Sequence, residues 1–142
     1  MTGTADENDD ESDSAIPLPT PWKTFLEEAT QRFRAAGFEN PENEARRIVE
    51  TASGYDAGSL SSGLTQLATE RGVHHFDEMM RRRLEKEPLQ YVCGAWGFRT
   101  LDLMVDHRVL IPRPETEVVA GVAIAELVKQ ENDENKLVAD LG

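Results

Sequence analysis

Trp22, Phe25, Leu26, Ala29 and Phe33 recur at helical spacing, so the chain past residue 20 opens with one apolar stripe. Thr20 and Pro21 predict its N-cap and first helical position, and Gly37 its stop. Asn40-Pro41 repeats the start signal. Ala45, Ile48, Val49 and Ala52 form a second stripe that ends at Gly54. A weaker helix is predicted from Leu60 to Arg71, with Leu64, Leu67 and Ala68 on one side and Gly63 and Gly72 as boundaries. A further helix runs from about Val73 to Glu87, with Phe76, Met79, Met80 and Leu84 facing inward, and Pro88 closes it. Short connections between such helices favour an antiparallel bundle.

After Pro88 the period changes. Tyr91-Val92-Cys93-Gly94-Ala95-Trp96-Gly97-Phe98 is aromatic and glycine-punctuated, which predicts a strand. Leu101, Leu103 and Val105 alternate with Asp102, Met104 and Asp106, the period of a strand with one face buried, and Arg99-Thr100 forms the hairpin turn between them. Beyond a proline pair, Glu115 to Lys129 is helical, with Val118, Val119, Val122, Ala125 and Val128 along its apolar side. The chain closes on Leu137-Val138-Ala139-Asp140-Leu141-Gly142, an apolar run ending in Asp-x-Gly that reads as a buried parallel strand entering a glycine turn. The expected fold class is a mostly α N-terminal helical bundle, a β-hairpin linker, and the first helix and strand of an α/β Rossmann-like domain. The boundaries are residues 1–19 for a disordered acidic tail, 20–90 for the helical domain, 91–111 for the hairpin linker and 112–142 for the start of the α/β domain.

The net charge of −12 changes this picture little. Six acids and no base lie within the first fourteen residues, and without them the body carries 21 acids against 15 bases. Such a body gives no general reason to expect nucleic acid or an anionic membrane as partner. The N-terminus lacks the basic-then-apolar pattern of a signal peptide, and no apolar run approaches the ~20 residues of a membrane-spanning helix. One cysteine, Cys93, excludes a disulfide within the chain and any multi-cysteine zinc site, and reads as a small packed side chain in a reducing cytoplasm.

Candidate chemistry concentrates at Leu110-Ile111-Pro112-Arg113-Pro114-Glu115-Thr116-Glu117. Two prolines around Arg113 fix the backbone, and a rigid arginine beside a helix N-terminus is suited to holding a carboxylate. Glu115 and Glu117 fall in the first helical turn, where negative charge suits the helix dipole. Other features invite blander readings. His74-His75 is a solvated pair, because adjacent helical residues point apart and no further ligand is suitably spaced. Arg81-Arg82-Arg83 with Lys86 is the charged outer face of a helix, and Trp96 and Phe98 pack within the hairpin.

Glu87-Pro88-Leu89-Gln90-Tyr91, then Gly94 and Phe98, then Val109 to Glu117, then Val138-Ala139-Asp140-Leu141-Gly142 resembles the release factor glutamine methyltransferase family (HemK/PrmC). The resemblance runs from about Trp22 to Gly142, weakly in the helices and strongly from Glu87 onward. It implies a helical substrate-recognition domain, S-adenosylmethionine as cofactor, and peptide chain release factors as protein substrate, methylated on the glutamine of their Gly-Gly-Gln motif in translation termination. Asp140 and Gly142 match the start of the family's Asp-x-Gly-x-Gly-x-Gly cofactor loop, and Arg113 and Thr116 match the segment packed beside it. The remaining glycines, the acidic residue for the cofactor ribose and the Asn-Pro-Pro-Tyr motif that grips the target amide do not occur in the chain. No catalytic residue is therefore expected in these 142 residues, and on their own they are expected to be inactive. Two other readings stay open: an N-methyltransferase for another protein amide or a nucleic-acid base amine, and a non-catalytic helical interaction module.

Overall fold

Helix α1 (Trp22–Ala35) begins one residue later than its capping signal suggests. Pro21 is extended, with φ −72° and ψ 151°. It is held there by an antiparallel bridge to Leu67, flanked by the Ala68 amide donating to the Thr20 carbonyl at 2.9 Å and the Trp22 amide donating to the Gln66 carbonyl at 3.0 Å. The lead-in is thus tied to a distant loop, and Thr20 does not act as the cap. The computed structural model describes residues 19–129 and 138–139. Contacts divide the chain into two compact units, residues 1–80 and 81–142.

The first unit carries the main core. Helix α2 (Pro41–Ser53) follows α1 and ends at Gly54, whose φ of 78° is the left-handed value that favours glycine. The stripes read from the sequence are buried: Phe25, Phe33, Ile48, Val49, Phe76, Met79 and Met80 are the largest fully enclosed side chains. Phe25 meets Phe76 edge-on with centroids 5.2 Å apart, and Trp22 lies 5.4 Å from Phe25. Glu50 is buried on α2 but accepts hydrogen bonds from Arg46 at 2.9 Å and Arg47 at 3.3 Å, so its charge is compensated.

Between α2 and the next long helix the structure departs from the sequence reading. The helix expected from Leu60 to Arg71 is a single turn, α3 (Leu60–Gly63), and helix α4 (Glu70–Leu84) begins before Gly72. Thr69 is the reason. Its hydroxyl accepts the Gly72 amide at 3.1 Å, the bond of an N-cap to the third helical residue. Gly72 is therefore no boundary. It lies inside α4, buried under the Trp22 ring, where a Cβ would come within 2.8 Å of a ring carbon.

The second unit begins within α4. Its last turn ends at Leu84, and Lys86 takes a φ of 69° as the chain leaves the helix. The strand expected from Tyr91 to Phe98 starts late, because Leu89–Cys93 forms a short helix, α5, closed by Gly94 at a φ of 73°. Pro88 supplies the extended entry to α5, and Gly94 the left-handed exit. Strands β1 (Ala95–Phe98) and β2 (Leu101–Met104) then pair antiparallel, with Trp96 opposite Leu103 and Phe98 opposite Leu101. The turn lies at Arg99-Thr100 as expected, with Arg99 at a φ of 54°. The inner face is less complete than the alternation implies: Val105 is buried and Leu103 half-buried, while Leu101 is exposed.

Helix α6 (Pro114–Lys129) starts at the second proline, which fits a first helical position. None of its residues is buried, although Val118, Val119, Val122, Ile124 and Val128 are between 47% and 68% exposed and all apolar. The strand expected over 137–141 lies mostly outside the described residues; Val138 and Ala139, which are described, are exposed and without regular structure. Among the described residues the fold is therefore mostly helical with one antiparallel hairpin, followed by an apolar helix that none of them buries.

Candidate functional site

The proline pair does to the backbone what its chemistry dictates. Residues 110–113 run without regular structure into α6, and the Arg113 carbonyl accepts the Thr116 amide at 3.1 Å, which places Arg113 at the N-cap position. Arg113 and Thr116 are both exposed. The Arg113 guanidinium makes no hydrogen bond or ion pair among the described residues, so its planar donor fork is open to a ligand. Asp140 and Gly142 lie outside the described residues. The structure thus brings Arg113 and Thr116 to one helix start.

Around this segment lies a set of polar contacts that the sequence reading did not identify. Glu87 stands between Arg82 and His107. Arg82 Nε donates to Glu87 Oε2 at 2.7 Å, and its Nη2 donates both to Glu87 Oε1 and to the Tyr91 carbonyl, the latter at 3.1 Å. His107 Nε2 meets Glu87 Oε1 at 2.9 Å, and Arg83 donates to the Glu87 carbonyl at 2.9 Å. Hydrogen bonding from Arg82 holds the Glu87 carboxyl below its ordinary range, with His107 adding to the effect and partial burial opposing it. The reading of Arg81 to Arg83 as an outer charged face is therefore corrected for two of the three: Arg82 and Arg83 are half-buried and serve the Glu87 turn, while Arg81 pairs with Glu85 at the surface. Acids interleaved with bases carry no mark of which pair will be enclosed. The positive φ of Lys86 is what folds Glu87 back toward Arg82.

Two further ties reach the same segment. The Tyr91 hydroxyl donates to the Val109 carbonyl at 2.7 Å, and its ring lies 4.7 Å from that of His107. At the hairpin turn, the Arg99 amide donates to Glu117 Oε2 at 3.0 Å and its guanidinium to the Glu117 carbonyl at 3.2 Å. Asp106 and Arg108 form a local pair that lowers the Asp106 carboxyl to about 2, chiefly through the Arg108 side chain.

His74 and His75 are exposed on the rim of an open groove of about 550 Å³ that also includes Thr51, Arg71 and Glu78. Among the described residues no group of three or more His, Cys, Asp or Glu side chains is placed to hold a metal ion. Trp96 and Phe98 are half-buried in the hairpin, and Cys93 is half-buried. No helix among the described residues is long and apolar enough to cross a membrane.

Comparison with known proteins gives these elements a family. The model of a family described as the PrmC N-terminal domain matches residues 24–94, half of the chain, from the first turn of α1 to the glycine that closes α5. A release factor glutamine methyltransferase of Bifidobacterium longum is 37% identical over 108 residues, covering 74% of this chain and 37% of that protein. A second, of Rhodopirellula baltica, is 32% identical over 126 residues, covering 87% of this chain and 43% of that protein. A bifunctional methyltransferase of Rickettsia typhi is 33% identical over 113 residues, covering 80% of this chain and 22% of that protein. The chain spans less than half the length of each of these relatives. With its helices α1 to α5 matched as one stretch, it belongs to the PrmC N-terminal domain family.

Proposed function

We propose that this chain is the N-terminal part of a cytoplasmic protein-(glutamine-N5) methyltransferase that uses S-adenosylmethionine to methylate the Gly-Gly-Gln glutamine of peptide chain release factors. Residues 20–90 serve as the substrate-recognition domain, residues 91–111 as the hairpin linker, and residues 112–142 as the opening of the methyltransferase domain. The observation that carries the reading is the family match over α1 to α5, followed in the same chain by a proline-clamped arginine whose guanidinium is open. Relatives named release factor glutamine methyltransferases support the substrate class.

The chemistry explains why the helical part alone is not enough. An amide nitrogen is a poor nucleophile because its lone pair is delocalised into the carbonyl. When bound, the cofactor would supply a methyl group on a positively charged sulfur; transfer would form the N–C bond, break the S–C bond to leave a neutral thioether, and release one proton from the amide nitrogen. The protein's share is orientation and exclusion of water. Arg113 fits the carboxylate of the cofactor's amino-acid portion, as a guanidinium with an unoccupied donor fork. Thr116 adds a hydroxyl one helical turn away, and by resemblance Asp140 and Gly142 would correspond to the start of the family's glycine-rich cofactor loop. Both described members are exposed and enclose nothing by themselves. The chain is expected to bind its protein substrate without turnover.

The uncovered apolar surface of α6 argues against a self-contained interaction module, since a helix that is apolar on most sides belongs in an interior. The excess of acids in the body, 21 against 15 bases, likewise gives no support to a nucleic-acid acceptor. The test combines the purified 142-residue chain with a release factor and labelled S-adenosylmethionine. A release factor complex without methyl incorporation is the expected result. Failure to bind any release factor at high micromolar concentration would remove the substrate assignment, and methyl incorporation by this chain would remove the division of labour.

A further inference from the structure

The loop that presents Arg113 is fastened on both sides. Before it, Tyr91 donates to the Val109 carbonyl at 2.7 Å, and His107 is held by the Tyr91 ring on one side and by Glu87 at 2.9 Å on the other. After it, Arg99 holds Glu117 through two hydrogen bonds. Between these anchors Pro112 and Pro114 each fix a φ angle, which leaves few soft dihedrals. An exposed arginine is ordinarily a mobile one. Here the backbone that carries it is restrained by side chains drawn from α4, α5 and the hairpin turn.

We infer that Tyr91 and Glu87 are positioning residues: they hold the Val109–Thr116 segment so that the Arg113 guanidinium is presented preorganised to an anionic ligand. The inference rests on the reading of Arg113 as the carboxylate-binding group of the site. A restrained donor loses less conformational freedom on binding, so the same hydrogen bonds give tighter and better-oriented capture. Neither residue touches the ligand. Glu87 acts through His107 and Tyr91 through Val109.

The experiment uses nitrogen relaxation of the 142-residue chain, with Tyr91→Phe and Glu87→Gln as separate variants. Tyr91→Phe keeps the ring against His107 and removes only the hydroxyl. The Arg113 amide is expected to show the order of rigid backbone, about 0.85, in the parent and to fall below about 0.6 in Tyr91→Phe, with α1, α2 and the hairpin unchanged. Glu87→Gln should lower the order of the Arg113 amide in the same way, because the carboxylate that anchors His107 is gone. Unchanged order at Arg113 in both variants overturns the inference. So does a loss of order spread over α4, α5 and the hairpin, because Tyr91 is then a packing residue and nothing more. The readout needs no methyl transfer, so its failure is distinct from a failure of the methyltransferase reading.

Discussion

Gly72 and Gly121 both lie inside helices, where glycine costs about 1 kcal/mol relative to alanine, yet their surroundings give opposite predictions. A Cβ at Gly72 meets Trp22 at 2.8 Å, and that ring is only 3% exposed and packed against Phe25, so it has nowhere to go. Overpacking of this kind costs about 1–3 kcal/mol and outweighs the helix gain. Gly72→Ala is expected to destabilise the first unit by about 1 kcal/mol in urea denaturation, and a neutral or stabilising result would refute the close packing. At Gly121 the nearest atom is Arg99 Nη1 at 2.7 Å, the far end of a flexible chain. Gly121→Ala should leave stability unchanged or slightly raised while displacing the Arg99 contact with Glu117. Asp106 offers a titration at the same scale. Its carboxyl is lowered to about 2 by Arg108, so its favourable contribution is present above the ordinary carboxyl value of about 3.9 and is lost as pH falls through about 2. Carboxyl-carbon NMR should give that midpoint in the parent, and Arg108→Ala should move it back toward the ordinary value. An Asp106 midpoint indifferent to Arg108 would contradict the pairing.

At the scale of elements, what the sequence revealed depended on whether the deciding interaction was local. Helices α1 and α2 were legible because period, proline start signal and glycine stop all lie within or next to one helix. The turn at Arg99-Thr100 was legible for the same reason. The start of α4 was not, because Gly72 serves a ring fifty positions away and a glycine chosen for contact looks like one chosen for termination. Thr69 carried a local signal for the true start, a capping residue three positions before the glycine, but the glycine outweighed it. The hairpin began late because Pro88 and Gly94 frame one helical turn that aromatic and β-branched composition disguises. The arginine run hid the Glu87 pairing for a similar reason, since enclosure depends on the turn at Lys86. The apolar surface of α6 was legible in composition, and its exposure follows from what the described residues place around it. This yields a contrast in sensitivity. Ile48→Ala, at a fully buried position on α2, should cost about 2–5 kcal/mol, whereas Val122→Lys, at a position 60% exposed on α6, should fall within about 0.5 kcal/mol. Thermal denaturation of the two variants beside the parent measures both, and equal losses would mean that α6 is packed.

For the molecule as a whole, the two units have unequal means of holding themselves together. In the first, seven large side chains from α1, α2 and α4 are fully enclosed, and three aromatic rings stack in sequence through Trp22, Phe25 and Phe76. In the second, Val92 and Val105 are the buried apolar residues among those described, and much of the order comes from hydrogen bonds and ion pairs at Glu87, Tyr91, Arg99 and Asp106. Apolar burial contributes roughly 1.5–3 kcal/mol for each large side chain, while exposed ion pairs contribute about 1 kcal/mol or less. The balance therefore favours the first unit strongly, and local opening should be graded accordingly. Native-state hydrogen exchange is expected to protect the central amides of α1 and α2 most, those of β1 and β2 less, and those of α6 least. Salt provides a second axis. Screening at 1 M weakens exposed pairs and leaves burial intact, so protection in the second unit should fall with added chloride while the centre of α1 stays unchanged. Protection of α6 equal to that of α1, insensitive to salt, would show a single cooperative unit and would mean that the apolar face of α6 has found a cover within this chain.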